Sequence, residues 1–140
     1  MTKEVAVIIE GFQQGQEEPV ITKTSGIYHL HGDRHFIQYE EEGQEGEGST
    51  KNLIKISATR IELAKRSNSF AQMNFDLEEK TETVYQTPYG SLFLEIKTNK
   101  IQIIETLDNL QIELEYTLYE NGEKLSDNRI SMMITARKLQ

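Results

Sequence analysis

From Leu110 to Tyr119 apolar and polar residues alternate, with Leu110, Ile112, Leu114, Tyr116 and Leu118 set against Gln111, Glu113, Glu115, Thr117 and Tyr119. A period of two places one set on a buried strand face and the other in water. Ile54, Ile56 and Ala58, followed by Ile61 and Leu63, repeat the pattern. A two-residue turn at Thr59-Arg60 sets Ala58 opposite Ile61 and Ile56 opposite Leu63. A turn at Asn99-Lys100 sets Ile96 opposite Ile103 and Leu92 opposite Leu107. A turn at Gly32-Asp33 gathers Tyr28, Leu30, Ile37 and Tyr39 on one face. In each hairpin the register keeps the apolar rows on a common side.

Asn121-Gly122 is the strongest turn signal in the chain. A plain two-residue turn there pairs Leu118 with Leu125 but sets Tyr116 against Asp127 and Leu114 against Arg129. The following apolar row, Ile130, Met132, Ile134 and Ala136, is one position out of phase. Either a three-residue loop that includes Glu123 or a bulge between Leu125 and Asn128 restores Leu114 opposite Ile130 and Ile112 opposite Met132. No segment holds a helical period; Thr106 to Gln111 reads as a short turn and Asn68 to Ala71 as a loop. The acidic, glycine-rich stretch Glu40 to Ser49 has little to bury and predicts a mobile loop over about 40–50. The resulting expectation is all-β: about eight to ten strands in a closed antiparallel up-and-down barrel, which leaves no exposed sheet edge.

Composition narrows this further. The 140 residues suit one domain, residues 1–140, able to bury a core without crosslinks. The absence of cysteine excludes disulfides, thiolate zinc sites and cysteine nucleophiles. The apolar run near the start, Val5 to Ile9, is too short for a signal-peptide core or a membrane span, so a cytoplasmic protein is expected. A net charge of -8 argues against nucleic acid and anionic membranes as partners.

Several short stretches carry a family resemblance. In order these are Ser25-Gly26-Ile27-Tyr28, Tyr39-Glu40-Glu41, Lys65-Arg66-Ser67 and Met73-Asn74-Phe75. Thr83-Val84-Tyr85-Gln86-Thr87-Pro88-Tyr89-Gly90 follows, with Leu92, Leu94 and Thr98, and then Leu114-Glu115-Tyr116. Together they resemble the YwiB-like domain, a small bacterial family of unknown function with a calycin-type, lipocalin-like β-barrel. The resemblance spans about residues 4 to 138, and Y-x-T-P-Y-G-x-L is its most specific element. Family members commonly carry glycine after the arginine segment, where this chain has Ser67-Asn68-Ser69. The resemblance implies the barrel and brings no catalytic residues.

Candidate chemistry is sparse. His29, His31 and His35 with Asp33 suggest a metal cluster, but the Gly32-Asp33 register sends His35 to the apolar face and His29 and His31 to the other. No metal site is expected. Glu40, Glu41, Glu42, Glu45 and Glu47 have the oxygens for calcium but not the spacing of an organised loop. Thr83, Tyr85 and Thr87 form a hydroxyl row. If Glu78 to Lys80 is a three-residue loop, Phe75 faces Thr83, Met73 faces Tyr85 and the row points into the barrel. With a two-residue turn Phe75 faces Val84 and the row points to water; the hydroxyls could also bond to backbone. Pro88-Tyr89-Gly90 reads as a tight turn, with Tyr89 at its tip near a barrel mouth. Lys65 and Arg66 close a strand and offer an anion contact at the rim. The chain has no nucleophile elbow, phosphate-cradling glycine loop or H-E-x-x-H, so an enzyme is not expected.

These readings converge on a non-enzymatic barrel that takes a small apolar or amphipathic ligand and needs no cofactor. Its interior contacts are expected from Tyr28, Tyr39, Thr83, Tyr85, Thr87 and Tyr116, and its rim contacts from Arg66 and Tyr89. The alternative is a solidly packed barrel, monomer or homodimer, whose outward Phe93, Tyr119 and Phe36 anchor another protein.

Overall fold

Alternating sequence becomes strand wherever it occurs, and the described residues contain no helix. A computed structural model describes residues 3–43, 48–67 and 70–137, with the backbone only at 86 and 87. The strands are β1 (Glu4–Gln13), β2 (Val20–His31), β3 (Arg34–Glu42), β4 (Ser49–Ile56), β5 (Arg60–Arg66), β6 (Phe70–Asp76), β7 (Thr81–Thr87), β8 (Gly90–Glu105), β9 (Asn109–Glu120) and β10 (Glu123–Ala136). They form one sheet in the order β6-β5-β4-β3-β2-β1-β10-β9-β8-β7, every pairing antiparallel. Sequence neighbours pair, and the β1–β10 ladder joins the two ends of the chain. The sheet curls so that β6 lies against β7, yet no backbone ladder joins them. The result is a nearly closed up-and-down barrel with one seam.

The expected registers hold in some hairpins and move in others. The Gly32-Asp33 turn pairs Leu30 with His35 and Tyr28 with Ile37, as its pattern requires. The β4–β5 turn lies one residue earlier than Thr59-Arg60: Ile56 pairs with Ile61 and Ile54 with Leu63, and Ser57 N–H donates to the Arg60 carbonyl at 2.9 Å. That shift moves the register by two, so the apolar rows stay together and Ala58 is left exposed. Asn99-Lys100 is not a turn. β8 runs straight through it, and Asn99 is the extra residue of a bulge between Thr98 and Lys100. The bulge does the work assigned to the turn: Ile96 and Thr98 before it, and Ile101 and Ile103 after it, all face inward. Asn121-Gly122 forms a two-residue turn with positive φ at both residues, 51° and 82°. A bulge at Leu125 then restores Ile130 opposite Leu114 and Met132 opposite Ile112.

The two bulges flank β9 and are tied together on the outer wall. Asn99 Nδ2 donates to Thr117 Oγ1 at 2.9 Å, and Thr117 Oγ1 donates to Asp127 Oδ1 at 2.8 Å. Lys124 Nζ lies 2.6 Å from Asp127 Oδ2, next to the second bulge. Thr117 is buried although it faces outward. Gly26 marks a different constraint, because a Cβ there would lie 2.7 Å from the Gln38 carbonyl oxygen and 3.2 Å from Val7. The close approach of β2 to β3 needs a glycine.

β3 continues to Glu42, so Glu40, Glu41 and Glu42 belong to a strand and not to a loop. Gly43 N–H donates to the Gly48 carbonyl at 2.8 Å across the β3–β4 connection. Residues 44–47, where the rest of the predicted acidic loop falls, lie outside the described residues.

Inward side chains are not equally buried along the barrel. The turns joining β2–β3, β4–β5, β6–β7 and β8–β9 lie at one end, and the β1–β2, β3–β4, β5–β6, β7–β8 and β9–β10 connections at the other. Toward the first end Ile37, Ile54, Ile56, Ile61, Phe75, Ile112 and Ile134 are fully buried. Each such side chain contributes about 1.5–3 kcal/mol on leaving water. Toward the second end the same inward rows become half-buried at Ile9, Leu63, Met73, Tyr116, Leu118 and Ile130. They are exposed at Val20, Lys65, Ala71, Tyr85 and Leu92. The barrel is packed inside a first rim at which Leu30 is exposed, and it flares open over a longer stretch at the other end.

Candidate functional site

The packed end is closed by a contact across the barrel. Tyr28 OH and His35 Nδ1 are hydrogen-bonded at 2.6 Å, and His35 Nε2 lies 3.8 Å from Glu105 Oε2. His35 is on β3 and Glu105 on β8, five strands apart in the sheet order, so this contact spans the interior. Burial, aided by the Glu105 charge, raises the Tyr28 pKa and keeps its phenol neutral. Tyr28 was expected to line a ligand cavity; it instead belongs to this plug. His29 and His31 point to the outer face, with ring centroids 6.3 Å apart, and His31 packs edge-on against Phe36 at 5.2 Å.

The open end is a cup. Its floor is the contact of Phe75 from β6 with Tyr116 from β9, ring centroids 4.8 Å apart at 60°. Burial raises the pKa of Tyr116. Ile9, Leu63, Met73 and Ile130 form apolar wall above that floor. Polar groups stand on the β3–β4–β5 side. Asn52 is buried and donates to Glu41 Oε1 at 3.2 Å, and the register places Lys65 opposite Asn52. Tyr39, next along β3, has its phenol pushed up to about 12 by burial and by the Glu41 charge. Near the mouth a depression of about 220 Å³ runs past Gly11, Val20, Tyr116, Leu118 and Ile130.

Of the expected ligand contacts, Tyr39 and Tyr116 lie in this half of the barrel, and Tyr85 stands at its rim, 61 % exposed. Thr83 does not line the cup, because its Oγ1 donates to the Gln72 carbonyl at 2.8 Å across the β6–β7 seam. Thr81 Oγ1 bonds the Asn74 carbonyl in the same way. The hydroxyls of this row thus bond to backbone where a ladder is missing. The side chain of Thr87 lies outside the described residues. Arg66 points outward, its guanidinium 5.9 Å from the Phe70 ring centroid, and Lys65 takes the inward position beside it. Tyr89 is fully exposed at the tip of its turn. Asn52 escaped the sequence reading, which gives Lys65 as an anion contact at the rim, Leu63 as part of an apolar row and Met73 as facing Tyr85, but does not join them in one site. Strand parity with Ile61 and Ile54 would have grouped them, but parity alone does not tell the packed end from the open one.

Further depressions lie outside the barrel. One of about 730 Å³ crosses β1–β4, where the outward row supplies Ser25, Ile27, Gln38, Glu40 and Leu53. Another of about 640 Å³ follows the seam. Among the described residues no group of three or more histidine, aspartate or glutamate side chains is arranged to hold a metal ion. Glu40 and Glu41 fall on opposite faces of β3, and Glu45 and Glu47 lie outside the described residues. No helix among the described residues is long and apolar enough to cross a membrane.

Comparison with known proteins agrees with the barrel. No curated protein matches the chain. The crystal structure of the ywiB protein from Bacillus subtilis is similar, with a TM-score of 0.74 at 18 % identity, covering 96 % of this chain and 91 % of that one. At that identity the likeness concerns the fold. The model of the family described as a domain of unknown function, DUF1934, matches residues 6–132, and the chain belongs to that family.

Proposed function

We propose that the chain is a non-enzymatic binding barrel that takes a small amphipathic molecule into its open half. The observation that carries this reading is the half-exposure of Ile9, Leu63, Met73 and Tyr116, which face inward yet remain within reach of solvent. Apolar side chains that line a concave wall gain by covering one another or a ligand. Asn52 and Lys65 offer hydrogen bonds on one side of the mouth. The mouth depression of about 220 Å³ is smaller than usual ligand pockets, so the molecule it suits is small or projects from the mouth. The calycin-like barrel supports the reading by analogy of fold alone. The charge balance favours neither nucleic acid nor an anionic membrane as partner.

Native mass spectrometry of freshly purified protein tests this reading. A reproducible adduct on the wild-type chain, lost in Met73→Trp at an unchanged melting temperature, is expected. A bare chain mass, together with no uptake of added decanoate, would overturn it. The second reading, a protein-interaction surface, draws on Phe93, which is 73 % exposed on the outer wall. Tyr119 and Phe36 serve it less well, since Lys80 Nζ sits 4.9 Å from the Tyr119 ring centroid and His31 covers Phe36.

A further inference from the structure

The seam between β6 and β7 combines three features that the cup does not explain. The first is an open edge: β6 and β7 end the sheet order, and they are tied by the hydroxyls of Thr81 and Thr83 in place of a ladder. The second is an apolar lining. Toward the flared end the seam widens into the outer-wall groove of about 640 Å³, where Phe70, Val84 and Phe93 are 57 %, 44 % and 73 % exposed. The third is charge. Glu82 and Glu95 lie in the same groove as a direct cross-strand pair. Like charges directly opposite each other destabilise a sheet. Neither carboxylate has an ion-pair partner among the described residues.

We propose that this groove docks an extended segment of a partner protein that carries basic and apolar residues together on one face. Every other side chain of an extended segment points the same way. Glu82 and Val84 on β7, like Glu95 and Phe93 on β8, stand two positions apart on one face, so the matching residues of the segment also stand two apart. Val84 and Phe93 would take the apolar side chains, and lysine or arginine would relieve the repulsion between Glu82 and Glu95. Phe70 carries the Arg66 guanidinium and only borders the groove. Aromatic side chains, phenylalanine included, are enriched at protein interfaces, and Phe93 is 73 % exposed here. The charge complementarity selects a basic partner over an acidic or neutral one. This inference does not rest on the ligand reading, because the residues it uses, Glu82, Val84, Phe93 and Glu95, all face outward.

A short synthetic peptide in which serine alternates with lysine and valine in turn, so that lysine and valine share one face, is titrated by calorimetry into the full chain to test the proposal. Binding is expected, with about tenfold loss in the Glu82→Gln/Glu95→Gln double variant, the scale of two partly exposed ion pairs. A comparable loss is expected in Phe93→Ala, and none in Glu17→Gln on the β1–β2 connection. Removing the repulsion leaves the double variant at least as heat-stable as wild type, so a loss of binding there is not a loss of fold. Raised salt should weaken binding. No binding of the lysine–valine peptide, equal binding of a glutamate–valine peptide, or indifference to both substitutions would overturn the proposal. So would a dimer of the chain itself that Phe93→Ala dissociates, since the face would then belong to a second copy.

Discussion

Thr83 Oγ1 donates to the Gln72 carbonyl oxygen at 2.8 Å, joining two strands that share no backbone ladder. With the Thr81 bond to Asn74, it holds the barrel shut along its one seam. A side-chain hydroxyl thus performs a closure that elsewhere falls to the backbone.

Replacing both hydroxyls, Thr81→Val with Thr83→Val, should preserve shape and remove the two bonds. Each neutral hydrogen bond contributes about 0.5–1.5 kcal/mol net, so a loss of about 1–3 kcal/mol is expected by chemical denaturation. Hydrogen exchange should accelerate first in β6 and β7, the strands with the fewest backbone partners. Acceleration spread evenly over all strands would contradict a local latch.

Thr117 links the two bulges through Asn99 and Asp127. Thr117→Val removes the buried hydroxyl that joins two exposed partners, and with it two hydrogen bonds. Destabilisation of about 1–3 kcal/mol is expected, measured by urea denaturation. Asn99→Ala should cost less, since Asn99 is exposed and contributes one bond to the chain.

Tyr39 sets an alkaline limit. Its phenol is raised from 10.0 to about 12, chiefly by burial and next by the charge of Glu41. Because the folded value lies above the unfolded one, the unfolded chain loses its proton first. The stabilisation is complete below pH 10.0 and is lost as pH rises toward about 12. Tyr39→Phe should flatten the fall of the melting temperature across that window. An unchanged slope would assign the alkaline loss to other groups.

The sequence was most legible where one face was plainly apolar. The hairpin at Gly32-Asp33 and the row from Leu110 to Leu118 fall where period and turn chemistry agree, and the phase error after Asn121-Gly122 correctly called for a compensating residue. Asn99-Lys100 misled because an extra residue in a strand and a two-residue turn both restore an apolar phase. Only the neighbour distinguishes them, and that neighbour is β9, which continues the ladder past the bulge. The candidate site was less legible for a related reason. Parity tells whether Leu63, Met73 and Lys65 point inward, but their exposure depends on how the barrel flares, which is set by strands far apart in sequence. The hydroxyl row illustrates the same limit: Thr83 and Tyr85 share a face, yet one is sealed in the seam and the other stands at the rim.

The account turns on a barrel that is full at one end and open at the other, and two methionines report on it directly. Met132 faces the packed interior and is 1 % exposed, while Met73 faces inward on the open side and is half-buried. Methyl-labelled methionine NMR with a soluble paramagnetic agent compares them in one sample. The expected result is strong broadening of the Met73 methyl and protection of Met132, with added decanoate shielding Met73. Equal protection of both methyls would contradict the open cup.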